Sequence, residues 1–381
     1  MSSGMPGSDG HTDTTGQPLA AVAGPDLRVA FRAALPLTLH DATCWRTDGN
    51  SPVRITSDGA VAFFSTYTPI GHTLRRRGRR DLVFDEPAVP ITLRNDPDPT
   101  VGKWIEAIWQ EPRGPLHGWY HAEEPAPCSG GLFVPYIGRA MSRDGGSTWD
   151  CCGEVLRLPP SLVDCSWKNG FFCGGYGDLS LVADRSGGML YLFFASYHPD
   201  ESLQGVAVLR QQAGDARAPI ERWTGRQWTA DPTAPLRPIL PVRRGWRHAD
   251  PEGFWGPALH YNRVLDAYVM LLNFTSGGDG DLVQAGIYAS VNPSLADPLG
   301  WSVPLRIVQG GAWYPQVIGL EEGCGDHEAG AMARFFMAGF SAWEIGFAPE
   351  QASDPADRNR PLVCTKRDFE RLFGPGRRCP W

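Results

Sequence analysis

Three carboxylic acids stand at or near the starts of short apolar segments in the first half of the chain: Asp48, Glu106 and Asp178. Two carboxyl groups placed across a glycosidic bond can hydrolyse it, because one donates a proton while the other activates water. Asp48 is followed by glycine and asparagine, which should leave its side chain accessible. We therefore predict Asp48 as the general base of a carboxylate pocket.

The acid role is open between the other two carboxyl groups. Asp178 follows a run of glycines, which lets the backbone approach a ligand closely, and it is predicted as the acid or as the group that tunes it. Glu106 lies between Ile105 and Ala107, and desolvation there would raise its pKa, as an acid requires. The alternative for all three acids is a structural carboxylate that is hydrogen-bonded across the fold.

Other side chains near the same segments could hold a substrate. Aromatic faces stack on sugar rings, and amide, imidazole and carboxyl groups bind hydroxyl groups. On this basis the predicted substrate-binding residues are Asn50, Trp104, His121, Glu123, Glu252, Trp255, His260, Trp313, Tyr314, Gln316 and Arg334. The alternative is interior packing for the aromatic residues and a satisfied buried imidazole for each histidine.

These candidates recur within a pattern that the chain repeats five times. Each copy has a polar or aromatic start, a short apolar strand, a turn and a second strand rich in aromatic residues. Equivalent positions lie 54 to 77 residues apart, which suits a four-stranded sheet with its loops. These positions are Pro52, Glu106, Ser180, Pro257 and Pro315.

Five such sheets predict an all-β fold, a five-bladed β-propeller over residues 25–381, with the innermost strands starting at a central pocket. These strands are expected to begin near Asn50, Trp104, Asp178, Trp255 and Tyr314. A strand that starts at Leu27 should complete the last sheet and close the ring. Residues 1–24 are polar and are predicted to form a disordered tail. A β-sandwich or two smaller β domains would not explain five copies at this period.

The composition limits the classes of partner that the protein is expected to bind. The net charge of −7 disfavours nucleic acid as a partner. No apolar stretch reaches the roughly 18 residues that a membrane span needs. The expected partner is a small molecule or an oligosaccharide substrate. We expect a cytoplasmic location if the N-terminus is native, and export if a leader has been removed.

The nine cysteines show no spacing typical of a zinc site. They are predicted to be buried thiols, with one or two disulfides, involving Cys165 and Cys173, if the protein is exported. No phosphate-binding loop or nucleotide motif is visible, so no cofactor and no catalytic metal are expected. A structural calcium ion on the propeller axis is compatible with the sequence.

One turn motif is similar to the Asp-box of sialidase-type propellers: Ser142-Arg-Asp144-Gly-Gly146-Ser-Thr-Trp149. The Asp side chain can accept hydrogen bonds from turn N–H groups, glycine can adopt positive φ, and the tryptophan can pack beneath. The motif predicts a propeller hairpin and says little about chemistry. The single Arg334 is not the three-arginine cluster expected of a sialidase, which argues against sialic acid.

The five-blade pattern resembles the five-bladed glycoside hydrolases of families 43, 32 and 117, whose innermost strands present carboxylates to a central pocket. The segment Asp250-Pro-Glu252-Gly-Phe-Trp-Gly-Pro257 is similar to the motif around the family 43 acid, with three residues inserted. Residues 40–347 also resemble uncharacterised bacterial propellers. The resemblance implies a carbohydrate-active enzyme, a glycoside hydrolase. The alternatives are a lyase, isomerase or tailoring enzyme on this scaffold, and a non-catalytic glycan-binding propeller.

Overall fold

The computed structural model describes most of the chain, in segments: residues 20–23, 27–40, 47–56, 59–65, 72–110, 114–128, 130–215, 218–277, 282–321, 324–349, 359–365, 367–368 and 371. Most of the predicted tail, residues 1–24, lies outside the described residues. Its segment Ala20–Ala23 forms a strand instead, because its backbone pairs antiparallel with the segment 28–31.

The described strands form five sheets, numbered I to V by the chain position of their innermost strand and given from that strand outward. Sheet I contains Val53–Thr56, Gly59–Ser65, Thr73–Gly78 and Val89–Pro90. Sheet II contains Gly102–Gln110, Leu116–Pro125, Phe133–Ser142, Thr148–Leu156 and Thr92–Arg94. Sheet III contains Tyr176–Ala183, Met189–Ser196, Gly205–Gln212, Glu221–Trp223 and Trp228–Thr229, with Leu240–Pro241 beside its third strand.

The last two sheets recruit strands from the far end of the described chain. Sheet IV contains Gly253–Asn262, Ala267–Gly277, Leu282–Asn292, Leu305–Gly310 and Leu362–Cys364, with Glu328–Ala329 beside its first strand. Sheet V contains Pro315–Gly319, Met332–Met337, Phe340–Ala348, Arg28–Thr38, Ala20–Ala23 and Asn359–Arg360. Two short 3-10 helices are Pro160–Leu162 and Glu201–Leu203. Within the described part of the chain, no helix has the length and apolar character of a membrane span.

Each sheet packs on the next in chain order, and sheet V returns to the segment before sheet I. The Nδ2 group of Asn50 donates to the carbonyl oxygens of Leu179 and Pro257, each at 2.8 Å, which ties sheets III and IV to this segment. Gln316 of sheet V exchanges two hydrogen bonds with the backbone of Ser51. The predicted all-β propeller fold is confirmed, with innermost strands near the predicted starts.

The ring closes through a strand from early in the chain. Arg28–Thr38 pairs antiparallel with Phe340–Ala348, so that Val29 lies opposite Phe347. The side chains of Val29 and Phe31 are fully buried in the core of this sheet. The prediction that a strand starting near Leu27 completes the last sheet is confirmed.

The motif at residues 142–149 makes the hairpin between the third and fourth strands of sheet II. The Oδ1 atom of Asp144 accepts the N–H groups of Ser147 and Thr148, at 3.1 and 2.9 Å. These bonds, led by that of Thr148, lower the pKa of Asp144 to about 2. Trp149 is fully buried, and its indole N–H donates to the carbonyl of Gly146. The motif therefore shapes a turn, and none of its residues lines the pocket described below.

We expect Gly146→Ala to lower the free energy of unfolding much more than Gly145→Ala. Both glycines have positive φ, of 89° and 71°, so each alanine carries a backbone penalty of roughly 1 kcal/mol. A Cβ at Gly146 would also lie 2.3 Å from the Phe63 ring, whereas a Cβ at Gly145 would meet open space. Overpacking adds roughly 1–3 kcal/mol at Gly146. Denaturant titration measures both variants, and equal losses would contradict this account.

The cysteine prediction is partly wrong. Cys165 forms a disulfide, but its partner is Cys128. Cys173 is a buried thiol whose sulfur lies 3.8 Å from that of Cys128. Spacing along the chain could not show this pairing, because the loop of residues 163–175 folds back against residues 126–133. Cys44 and Cys379 lie outside the described residues.

Candidate active site

β-bulges aim two of the predicted carboxylates. The pairing of the first two strands of sheet II shifts between Ile105 and Ala107, which places Glu106 at the irregularity. The pairing in sheet III shifts between Gly177 and Leu179, and Asp178 there has a φ of 49°. A bulge redirects a side chain out of the alternating strand pattern, and bulges are common beside functional sites. Both carboxylates therefore point to the centre of the ring.

His121 joins these two carboxylates to a third acid, Glu123. His121 and Glu123 lie two residues apart on the second strand of sheet II, so they share one face. The imidazole Nδ1 lies 3.5 Å from Glu106 Oε1 and 3.9 Å from Asp178 Oδ1, while Nε2 lies 3.7 Å from Glu123 Oε1. Gly177 permits this approach, since a Cβ there would lie 2.7 Å from the ring. One imidazole thus stands among three carboxyl groups.

The surrounding carboxyl groups set the charge of the His121 imidazole. Burial alone would lower the pKa of His121, but hydrogen bonding and charge from Glu106, together with Asp178 and Glu123, raise it to about 10. The imidazole is therefore a cation at neutral pH, and its Nδ1–H faces Glu106. The backbone N–H of Asp178 points at the same nitrogen from 3.2 Å and donates a hydrogen bond to it when the imidazole is neutral.

Glu106 lies behind the site and not at its surface. Its side chain is 0% exposed, against 21% for Glu123. Its Oε2 accepts the N–H of Leu179, and a Cβ at Gly49 would lie 2.4 Å from Oε1. Burial raises the pKa of Glu106 to about 7, against the opposing effect of His121. The prediction that Glu106 shares the cavity of Asp48 and Asp178 is wrong, because Gly49 and the backbone of Leu179 cover its carboxyl group.

The carboxyl groups at the cavity are those of Asp48, Glu123 and Asp178, and the cavity has a volume of about 270 Å³. The other lining residues are Gly131, Phe133, Gly170, Phe171, Phe172, Tyr197, Trp246, Trp255, Trp313 and Tyr314. Of the predicted residues, the structure therefore brings together Asp48, Asp178, Glu123, Trp255, Trp313 and Tyr314.

Two tyrosines fix Asp178. The hydroxyl of Tyr197 donates to Asp178 Oδ2, and that of Tyr314 donates to Oδ1 at 3.1 Å. Burial, reinforced by Asp178, raises the pKa of both tyrosines well above the usual value, so neither is a phenolate at neutral pH. Both oxygens of Asp178 are thereby held in place at the wall of the cavity.

Glu123 has the raised pKa that a general acid needs. Burial raises the pKa of Glu123 to about 8; His121 opposes this shift, and Asp48, Asp178 and Glu106 reinforce it. The side chain therefore keeps its proton at neutral pH while it faces the cavity. A perturbed carboxyl group in a cleft is a candidate for proton transfer.

Four other predicted residues have contacts with the surrounding protein and do not lie at this cavity. Asn50 and Gln316 hold the sheets together, as described above, and Trp104 packs on the His121 ring. His260 is buried in the interior, where desolvation lowers its pKa to about 3. None of these four lines this cavity; Asn50, His260 and Gln316 instead line a separate, much smaller cavity beside Glu106.

The predictions that Glu252 and Arg334 bind substrate are wrong, because neither residue lies at the cavity. Glu252 binds Arg243 at 3.0 Å and its backbone pairs with Arg244, so the segment similar to the family 43 acid motif does not supply the acid here. Arg334 lies on the second strand of sheet V, opposite Glu344, and donates to the carbonyl of Leu35. Neither residue lines the cavity.

Sequence reasoning missed the aromatic residues from loops. Phe171 and Phe172 follow Asn169, whose Oδ1 accepts both of their N–H groups, at 2.7 and 2.8 Å. The Nδ2 group of Asn169 donates to the carbonyls of Phe172 and Trp246, which joins the two loops. The only signal in the sequence was the aromatic content of these loops, since they lie outside the repeated pattern.

The groups of Glu106, His121 and Asp178 could also be metal ligands, since one atom from each lies within 4.8 Å of the others. Calcium prefers about six to eight oxygen ligands, which this set does not offer. Both oxygens of Asp178 already accept tyrosine hydroxyls, and the imidazole is a cation. We therefore interpret the cluster as a buried ion pair.

No protein-family model and no curated protein matches the chain. Similar solved structures include the catalytic domain of a Coprinopsis cinerea α-L-arabinofuranosidase of family GH62, with 10% identity, 84% of this chain and 96% of that chain covered, and a TM-score of 0.48. A Bacillus subtilis arabinanase has 15% identity, coverage of 81% and 99%, and a TM-score of 0.42. A Penicillium chrysogenum α-L-arabinanase complexed with arabinobiose has 13% identity, coverage of 80% and 80%, and a TM-score of 0.45. Similarity this low carries no information on the activity of this chain.

Proposed function

We propose that the chain is a glycoside hydrolase in which Asp48 is the general base and Glu123 the general acid. The observation that carries the proposal is the carboxyl group of Glu123, which faces the same cavity as Asp48 and Asp178 and whose pKa burial raises to about 8. Glycoside hydrolysis needs one carboxyl group that keeps its proton and a second that is ionised. Glu106 cannot reach a substrate, so the acid role moves to Glu123.

In the proposed reaction, Glu123 gives its proton to the glycosidic oxygen as the bond to the anomeric carbon breaks. Asp48 takes a proton from a water molecule, whose oxygen forms the new bond to that carbon. Positive charge develops on the sugar ring in the transition state, and the carboxyl group of Asp178 stabilises it. Tyr197 and Tyr314 keep that carboxylate in place. The reaction uses only carboxyl groups and water and needs no cofactor.

His121 is proposed as a positioning residue. Its cation lies between the interior carboxylate of Glu106 and the acid Glu123, so it limits how far the pKa of Glu123 rises. A lyase or isomerase on this scaffold would use a tyrosine or histidine as base. The raised pKa values of Tyr197 and Tyr314 and the protonated state of His121 disfavour that alternative.

The test is hydrolysis of a panel of aryl glycosides and polysaccharides, followed by a pH profile on the best substrate. We expect kcat/KM to fall about tenfold per pH unit above a pH of about 8, because Glu123 then loses the proton that it must donate. Melting temperature measured over the same range separates this loss from unfolding. A profile that stays level up to pH 10 would remove Glu123 as the acid. Binding of a glycan by calorimetry without hydrolysis of any substrate would instead favour the glycan-binding propeller.

A further inference from the structure

Six aromatic side chains around the cavity form a closed ring of contacts. Each packs on the next, with ring centroids 4.6–6.3 Å apart, and the last returns to the first. In order they are Phe171, Phe172, Tyr197, Trp246, Trp255 and Trp313, and all six line the cavity. We call this set the aromatic ring wall.

Four of the six contacts in the wall join rings inclined by 75–89°, whereas Phe171–Phe172 and Phe172–Tyr197 are tilted by 48° and 38°. The planes of Tyr197 and Trp246 meet at 89°, those of Trp246 and Trp255 at 88°, and those of Trp255 and Trp313 at 80°. Phe171 and Trp313 are partly exposed at the cavity, whereas Tyr197, Trp246 and Trp255 are only 0–4% exposed. Aromatic rings gathered around one cavity are an arrangement that recognises ammonium groups in proteins.

The wall is fixed before any ligand binds. Asn169 holds the backbone of Phe171 and Phe172 and bonds the carbonyl of Trp246. The disulfide Cys128–Cys165 anchors the start of the same loop. A preformed wall loses little conformational freedom on binding, so its contacts contribute more fully to affinity.

The charges at the cavity have one sign. Asp48 and Asp178 line it beside the protonated acid Glu123, and among the described lining residues there is no lysine or arginine. The cation of His121 lies behind them and is matched by Glu106. The hydroxyls of Tyr197 and Tyr314 already donate to Asp178, so these two donors are not available to the hydroxyl oxygens of a neutral sugar.

We propose that the cavity selects a positively charged group, and that the sugar it takes carries a protonated amine. The aromatic rings at the cavity would attract the ammonium group, and the carboxylates of Asp48 and Asp178 would accept its N–H donors. A uronic acid or a phosphorylated sugar would be rejected by the same carboxylates. The cation site follows from the cavity alone, whereas the sugar part of the proposal rests on the proposed hydrolase function.

Isothermal titration calorimetry with choline tests the cation site directly. Its control is 3,3-dimethylbutan-1-ol, which has the same shape without the charge. We expect choline to bind at least roughly tenfold more tightly than this alcohol, because a desolvated cation gains from each ring face. Equal affinities, or no binding of choline, would overturn the proposal.

A pair of tryptophan variants tests whether choline binds at the aromatic ring wall. Trp313→Leu removes a half-buried ring of the wall, and Trp228→Leu removes a half-buried ring at the outer edge of sheet III. We expect Trp313→Leu to weaken choline binding by roughly tenfold and Trp228→Leu to leave it unchanged. Equal effects of the two variants would contradict the assignment. Comparable melting temperatures show that both variants fold.

Aryl glycosides of 2-amino sugars, their N-acetylated forms and uronic acids test the substrate class. We expect the highest kcat/KM for the free amines. Hydrolysis of neutral glycosides without choline binding would overturn the cation site and leave the hydrolase. Choline binding without any hydrolysis would support the cation site and overturn the hydrolase.

Discussion

Asp48→Asn is expected to remove nearly all glycoside hydrolysis while the melting temperature stays close to that of the unchanged protein. Asparagine has almost the same shape as aspartate, but it cannot take a proton from water. A positioned acid or base contributes roughly 10²–10⁴-fold to a rate, and a loss in that range is expected in kcat. Turnover on the best glycoside and a thermal melt are the two measurements.

The matched control for this change is Asp85→Asn, an exposed aspartate next to the strands of sheet I. It should keep full activity, because its side chain is exposed and does not line the cavity. Asp48→Asn with full turnover would take Asp48 out of the mechanism. Loss of activity together with a large fall in melting temperature would assign Asp48 to the framework.

Glu123→Gln is expected to slow hydrolysis by roughly 10²–10⁴-fold for substrates with poor leaving groups, and far less for aryl glycosides with acidic phenols. An acidic phenol departs without help, so it does not need the proton of Glu123. The decline of kcat/KM above a pH of about 8 should disappear in the same variant, because its titrating group is gone. Steady-state kinetics on both substrate classes measure each effect.

The neighbouring residue supplies the control. Glu124 lies on the opposite face of the same strand and pairs with Arg157. Glu124→Gln should leave the leaving-group dependence and the pH profile unchanged. Equal slowing of both substrate classes by Glu123→Gln would contradict an acid role for Glu123 and indicate a loss of substrate binding.

The repeated pattern predicted the propeller because each copy contains its own strands and turns. Sequence positions therefore located the innermost strands, and the acidic residues near them placed Asp48 and Asp178 at one pocket. For Asp48 and Asp178, an acidic residue type at the start of a strand was sufficient to predict their location at the pocket. The cavity-lining tryptophans Trp255 and Trp313 followed from the same reasoning.

The remaining site depends on contacts between distant segments. Glu106 and Glu123 are both acidic residues of sheet II, and only the packing of Gly49 and Leu179 shows which of them is covered. Phe171, Phe172 and Trp246 come together through the side chain of Asn169. Contacts of this kind follow no repeat in the sequence, so the five-copy pattern could not predict the aromatic ring wall.

The strand that closes the ring has a consequence for how the protein is made. The ribosome delivers Arg28–Thr38 roughly 300 residues before its partner Phe340–Ala348. Until the partner emerges, Val29 and Phe31 have no core to enter, and the growing chain carries an unpaired apolar edge. Joining such distant segments is slow, because a long loop must close first. Translation of the last sheet is therefore the step at which the nascent chain stops being prone to aggregation.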